Sequence, residues 1–169
     1  ILIEGAMMVH NIAPGVNRYF SAERWDVIDE KIWADERNRA RDLVNYDTDF
    51  IAYGSDIDED AIEIAKINAK RAGVERKIKF EKADIRNFEP KSEKGTVICN
   101  PPYGERLLDI EEAQKLYKIM GEKFIRKHGW SYYVISPSEE FEKEFGRKAD
   151  KRRKLYNGMI KCQLFMYFK

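Results

Sequence analysis

Residues 96–106 read Thr96-Val97-Ile98-Cys99-Asn100-Pro101-Pro102-Tyr103-Gly104-Glu105-Arg106, a short run of β-formers that stops at an asparagine and two prolines. Gly95 to Cys99 reads as a short buried strand. Each proline fixes its own φ and pushes the residue before it into extended geometry, so the strand ends in a stiff loop. Such a loop can hold the Asn100 side-chain oxygen and the main-chain carbonyl of Pro101 as two acceptors aimed at one point. An NH2 group fits there. The exocyclic amine of a nucleic-acid base is a poor nucleophile because its lone pair is delocalised into the ring. Acceptors on both of its hydrogens turn that pair toward an electrophile, so positioning supplies much of the catalysis. Tyr103 is placed to stack on the base, a contact of about 1–3 kcal/mol that offsets the few kcal/mol of unstacking it. Asn-Pro by itself is an ordinary rigid turn. The full string directly after a strand is what points to chemistry.

Outward from this loop, strands and helices alternate. Phe50 to Ser55 is expected as a strand, and Asp58 as the N-cap of a helix over Glu59 to Arg71. Ile62, Ala65, Ala69 and Ala72 give that helix an inward stripe, and Gly73 ends it. Lys77 to Ala83 is the next strand. Beyond the loop, Glu111 to Lys127 reads as a helix with Leu116, Met120 and Phe124 on one face, followed by a strand over Ser131 to Ile135. Arg152 to Ile160, interrupted by Asn157-Gly158, and Gln163 to Phe168 read as two closing strands without a helix between them, hence antiparallel. Upstream, Ile1 to Val9 continues helical spacing to His10 or Asn11, and Ala13-Pro14-Gly15 stops it. Glu23 to Val44, with Trp25, Ile28, Ile32, Ala40 and Val44 at helical intervals, reads as an amphipathic surface helix with room for an interruption. The pattern predicts an α/β fold, a mainly parallel sheet with helices on both faces and an antiparallel pair at the end. Ligands of such sheets bind at the carboxyl ends of the strands.

Two further stretches end strands there. In Tyr53-Gly54-Ser55-Asp56-Ile57-Asp58, Asp56 can accept hydrogen bonds from the two hydroxyls of a ribose, and Ile57 can lie against an adenine face. The competing reading makes Asp56 a helix cap, although Asp58 is the better one. In Lys82-Ala83-Asp84-Ile85-Arg86, Asp84 can accept from an adenine amino group. Alone it is an ordinary loop aspartate.

At 169 residues, with 43% hydrophobic and 36% charged residues, the chain suits one ordinary domain with a real core. No apolar run approaches a membrane span, and the opening lacks the layout of a signal peptide, so a cytoplasmic protein is expected. The two cysteines, Cys99 and Cys162, read as reduced core thiols rather than nucleophiles. A net charge of +1 argues against electrostatic grip on nucleic acid by the whole surface. A local patch, Arg147, Lys148, Lys151, Arg152, Arg153 and Lys154, is either a phosphate contact or a solvated loop. His10 and His128 have no metal-ligand spacing, and no metal is expected. Trp25, Trp33 and Trp130 read as packing residues, and neither a serine–histidine–acid arrangement nor a phosphate-binding glycine loop is visible.

With these residues in hand, the chain resembles the Rossmann-type, class I methyltransferase domain of RNA guanine-N2 methyltransferases that carry an N-terminal THUMP domain, a family often labelled as N6-adenine-specific DNA methylases. The resemblance rests on Ile3-Glu4-Gly5-Ala6, Ala13-Pro14-Gly15, Gly54 to Asp58, Asn68-Ala69, Asn100 to Arg106 and Arg153 to Ile160. Asn-Pro-Pro-Tyr is shared widely, with adenine-N6 DNA enzymes and protein glutamine methyltransferases. Gly-Glu-Arg after it and Leu155-Tyr156-Asn157-Gly158 point toward the RNA guanine group. The resemblance implies S-adenosylmethionine as cofactor, with Asp56 at its ribose and Asp84 at its adenine, and with Ile57 and Ile85 beside them as cofactor-binding residues. It implies Asn100, Pro101, Pro102 and Tyr103 at the target base, N2 of guanine in RNA, with 23S ribosomal RNA expected. RNA would be recruited by the N-terminal domain and by Arg147, Lys148, Arg152 and Arg153. In the family a first strand and a glycine-rich loop precede the segment matching Ile1-Leu2-Ile3-Glu4. Residues 1–169 are therefore expected to be a partial domain lacking both, with open sheet edges and poor cofactor binding, testable by calorimetry. The remaining alternatives are adenine-N6 or glutamine methylation, or a non-catalytic truncated remnant.

Overall fold

The computed structural model describes residues 1–103 and 110–168. The chain divides into two compact units, Ile1–Ala83 and Asp84–Lys169.

The first unit holds α1 (Leu2–Val9), a 3-10 turn (Ser21–Arg24), α2 (Glu30–Asp42), β1 (Ala52–Asp56), α3 (Glu59–Arg71), a second 3-10 turn (Glu75–Lys77) and β2 (Ile78–Lys82). β1 and β2 pair in parallel, Ala52 opposite Ile78 and Asp56 opposite Lys82. Their core is Ala6, Ile12, Ala52, Ala69, Val74 and Ile78, with Leu2, Phe50, Ala72 and Phe80 packed against it. Asp58 caps α3 as expected, its carboxylate accepting from the Asp60 amide at 2.9 Å. The helix ends at Gly73, whose φ of +73° is open to glycine at little cost. Gly54 is required for a different reason. A Cβ there would stand 2.7 Å from Leu2 Cδ1 and 2.8 Å from Phe80 Cδ1, so only a missing side chain lets these two residues close over β1. His10 is fully buried, and its Nδ1 lies 2.9 Å from the Asn45 carbonyl.

The interruption of the second helical stretch is real: a short 3-10 turn and α2 share the Glu23 to Val44 region, and neither fully buries a residue. For that reason Trp25 stands 59% exposed and departs from the packing role expected of it, whereas Trp33 stacks on Phe20.

The second unit holds a 3-10 turn (Ile85–Asn87), β3 (Gly95–Cys99), α4 (Ile110–Lys123), β4 (Trp130–Ser136), α5 (Phe141–Glu144), β5 (Lys151–Asn157) and β6 (Ile160–Tyr167). Its sheet runs β3-β4-β6-β5. β3 and β4 are parallel, and β6 is antiparallel to both β4 and β5. The closing antiparallel pair expected from the sequence is therefore present, with one shift of boundary. Gly158, at φ +61°, makes a two-residue turn between Asn157 and its partner Ile160, so Ile160 opens β6 instead of ending β5.

One face of this sheet is covered by α4 and α5 around Tyr117, Met120, Phe124, Trp130, Tyr132, Val134, Phe141, Phe145, Phe165 and Tyr167. The alternating exposure of β4, buried at Trp130, Tyr132, Val134 and Ser136, is what one covered face produces. The sequence reads β3 as buried throughout. Instead Val97 and Cys99 are half-buried while Thr96 and Ile98 are exposed, because β4 is its one strand partner among the described residues and its unit covers a single face. α4 also stops earlier than expected. The Phe124 carbonyl, which another turn of helix would engage, accepts from the Arg147 guanidinium. Among the described residues no helix is long and apolar enough to cross a membrane.

Candidate active site

β3 delivers Asn100 to its carboxyl end, where the side chain is exposed, while Pro101 is buried and Pro102 and Tyr103 are half-buried. The prolines anchor the loop and leave the asparagine outside. The Tyr103 hydroxyl donates to Asn100 Oδ1, so the two residues singled out for the target base are physically joined. Burial pushes the Tyr103 phenol up, and a hydrogen bond from the Asn157 side chain pulls it the other way. The nearby Cys162 thiol adds to the upward push. Residues 104–109, including Gly104, Glu105 and Arg106 of the extended motif, lie outside the described residues.

Cys99, the last residue of β3, is a free thiol that burial pushes up to about 11. It stays protonated near neutrality and is no nucleophile. Cys162 is likewise free and buried. Both match the reading of reduced core thiols.

In the same unit Asp84 opens the 3-10 turn Ile85–Asn87, accepting from the Arg86 amide at 2.8 Å, while Arg86 Nε donates to its other oxygen at 3.0 Å. These bonds from Arg86 hold the carboxyl at about 2, so Asp84 is an acceptor only, and it keeps lone pairs beyond those Arg86 uses. Ile85 and Phe88 pack against the core of the unit. The i+2 spacing of Asp84 and Arg86 is in plain view in the sequence, but that the arginine folds back onto the aspartate is not.

In the other unit Asp56 ends β1. Its Oδ1 accepts from the Asp58 amide at 3.0 Å, which builds the turn into α3. Beside it Ile57 is 64% exposed. A carboxylate with spare acceptor capacity next to an aliphatic side chain left in solvent suits a ribose diol and the flat face of a base. Each unit thus presents one of the two aspartates at or just past a strand's carboxyl end.

The basic stretch is less uniform than its sequence. Arg147 does not belong to an open patch: its guanidinium lies over the Phe145 and Tyr167 rings at 5.2 and 4.8 Å and donates to the Phe124 carbonyl. Desolvation lowers its affinity for a proton. Arg152 pairs with Glu142 at 3.1 Å. Lys148, Lys151, Arg153 and Lys154 remain exposed, the last three on β5, which has one strand neighbour among the described residues.

The family model described as RMKL-like, methyltransferase domain (UPF0020) matches residues 1–165. The Bacillus subtilis (strain 168) protein named "Putative RNA methyltransferase YpsC" is 40% identical over 168 residues, covering 99% of this chain and 44% of that protein. "Ribosomal RNA large subunit methyltransferase K/L" of Shewanella sp. (strain W3-18-1) is 38% identical over 172 residues, covering 99% of this chain and 24% of that protein. A solved structure described as "SMU.472, a putative methyltransferase complexed with SAH" superposes with a TM-score of 0.92 at 42% identity, over 98% of this chain and 44% of that one. The chain spans less than half the length of each of these proteins. With a matching family model over nearly its whole length and the α/β, class I-like architecture described above, this chain belongs to the RMKL-like methyltransferase-domain family.

Proposed function

We propose that the chain takes part in S-adenosylmethionine-dependent methylation of an exocyclic base nitrogen in RNA, with N2 of guanine in large-subunit ribosomal RNA as the target. The observation that carries this reading is the exposed Asn100 at the tip of β3, its side-chain oxygen held by the Tyr103 hydroxyl on a loop anchored by a buried proline. The relatives' names, an RNA methyltransferase and a ribosomal RNA large subunit methyltransferase, favour RNA over DNA or protein.

Taken residue by residue, the acceptors suit the chemistry of this cofactor. Asp56 would accept from the ribose hydroxyls with Ile57 against the nucleoside. Asp84 would accept from the adenine amine, with Ile85, packed against the core of its unit, beside it. When bound, S-adenosylmethionine supplies an electrophilic methyl group on a sulfonium sulfur. Asn100 Oδ1 and the Pro101 carbonyl would accept the two amine hydrogens and so orient the nitrogen lone pair for attack. Pro102 stiffens the corner, and Tyr103 supports the base. Together these residues would hold the amine for receipt of that methyl group, and the proton the nitrogen gives up would pass to solvent. The exposed cations Lys148, Lys151, Arg153 and Lys154, with Arg152 at their edge, would meet phosphates.

Asn100→Ala in the full-length protein is expected to lower turnover at least about a hundredfold, the range of a lost catalytic hydrogen-bonding group, while cofactor affinity by calorimetry stays within about twofold. Equal loss of both would reject the assigned role. Labelled methyl transfer to unmethylated ribosomal RNA, DNA and protein, followed by mass spectrometry of the product, separates guanine N2 from adenine N6 and from glutamine.

A further inference from the structure

The register of the second sheet leaves one element standing beyond the rest. β3 and β4 are parallel, with Cys99 opposite Val134, so their carboxyl ends point the same way. β4 meets β6 for the last time at Ser136 and Gln163. The β5–β6 hairpin continues past that row through three more pairs, Leu155 with Cys162, Tyr156 with Lys161 and Asn157 with Ile160, an overhang of about 10 Å at the usual rise per residue. It projects from the end of the sheet at which β3 delivers Asn100. Two strand spacings, about 10 Å, separate β6 from β3. An RNA chain that presents a base to Asn100 therefore runs close to this tip.

What the tip carries does not serve the fold. Tyr156 is 62% exposed and Met159, at the apex of the turn, 97% exposed, and neither belongs to a hydrophobic core of the protein. The charge is as uneven as the burial. The whole chain balances 31 basic residues against 30 acidic ones, yet from Lys151 to the end there is no aspartate or glutamate. Arg152 is paired with Glu142, while Lys151, Arg153, Lys154 and Lys161 are exposed. Alternation puts Lys154 and Tyr156 on one face of β5, and the cross-strand pair puts Lys161 on that same face. Lys154 Nζ lies over the Tyr156 ring, 5.2 Å from its centroid, which holds the ring and leaves its opposite face to solvent. A fixed aromatic ring with an open face between two ammonium groups has the chemistry of a platform for an unpaired base and its phosphates.

We infer that the β5–β6 hairpin tip is a docking site for single-stranded RNA beside the target nucleotide, with Tyr156 stacking on a neighbouring unpaired base and Lys154 and Lys161 meeting its phosphates. The inference rests on the reading of RNA as the substrate and adds a contact outside the pocket at Asn100. The tip grips the RNA and takes no part in the transfer itself.

The test uses Tyr156→Ala, Tyr156→Leu, Tyr156→Phe and Lys154→Gln/Lys161→Gln in the full-length protein. The probes are a mixed-sequence single-stranded RNA of about ten nucleotides, within the span such platforms cover, and the duplex it forms with its complement. Tyr156→Ala is expected to weaken binding of the single strand about fivefold or more, the worth of one base–aromatic stack, with duplex and cofactor affinities and the salt dependence unchanged. Tyr156→Leu, which keeps apolar bulk without a ring, loses as much, and Tyr156→Phe keeps the parent affinity. The lysine variant lowers the salt slope by about 1.4, at roughly 0.7 for each phosphate no longer neutralised. With unmethylated ribosomal RNA and labelled cofactor, Tyr156→Ala raises KM more than it lowers kcat. Unchanged single-strand affinity in Tyr156→Ala and Tyr156→Leu, an equal loss on single strand and duplex, or an unmoved salt slope in the lysine variant overturns the inference. Methyl transfer to DNA or protein in place of RNA by the parent rejects the proposed function and this inference with it. Transfer to RNA at parent KM and kcat in Tyr156→Ala rejects this inference alone.

Discussion

Asp84 shows what one neighbour does to one side chain. Sequence spacing allows an adenine-binding carboxylate or an ordinary loop aspartate. The structure adds that Arg86 grips it through both its backbone amide and its guanidinium and lowers the carboxyl from an ordinary value of 3.8 to about 2. Because the folded-state value is depressed, whatever these bonds contribute is fully present above about pH 4 and is lost as the pH falls toward about 2. Arg86→Met should therefore return the carboxyl toward its usual range in a carbon-detected NMR titration. An unmoved Asp84 would mean that the Arg86 side chain is not what holds it down. At physiological pH the carboxylate is ionised either way, so the variant tests the geometry of the turn without switching the acceptor off.

At the level of elements, the packing of α4 on α5 depends on a residue that has no side chain. A Cβ on Gly121 would fall 1.9 Å from the Phe145 carbonyl oxygen and 2.8 Å from its carbonyl carbon. These are main-chain atoms and cannot rotate away. Gly121→Ala should cost at least about 1–3 kcal/mol, the usual penalty for overpacking. Urea denaturation gives the direct measurement, and a midpoint equal to that of the parent chain would show that α5 is free to shift. Most elements were legible in the sequence: the Asp58 cap and Gly73 stop bracket α3, and the turn residues Asn157-Gly158 separate the closing strands. The end of α4 was not legible, because it depends on Arg147 reaching the Phe124 carbonyl from another element. Nor was the open face of β3, since Thr96 and Ile98 have the same local pattern whether or not a neighbour covers them.

For the whole molecule, a net charge of +1 leaves RNA attraction to local clusters. β5 supplies one, with Lys151, Arg153 and Lys154 exposed, while Arg147 is withdrawn among aromatic rings and Arg152 is paired. Changing Lys151, Arg153 and Lys154 together to Gln should weaken RNA binding and reduce the steepness of its salt dependence by about 2, at roughly 0.7 for each phosphate that the protein no longer neutralises on single-stranded RNA. Affinities measured across a salt series decide it. An unchanged slope would show that these cations stay in solvent when RNA binds. Arg147→Gln, by contrast, should leave the slope alone and lower stability, because its guanidinium is engaged by Phe124, Phe145 and Tyr167.

The sequence by itself determined the α/β class, the stiff Asn100–Tyr103 corner at the end of a strand, the capped helix after Asp56 and the antiparallel close. Each of these follows from local rules: proline restricts φ, a strand alternates with period two, and a cap needs an acceptor beside the first free amides. Only the tertiary structure decided which cations are open to solvent and where α4 ends. Those outcomes rest on segments far apart along the chain coming together in space, at distances no local pattern encodes.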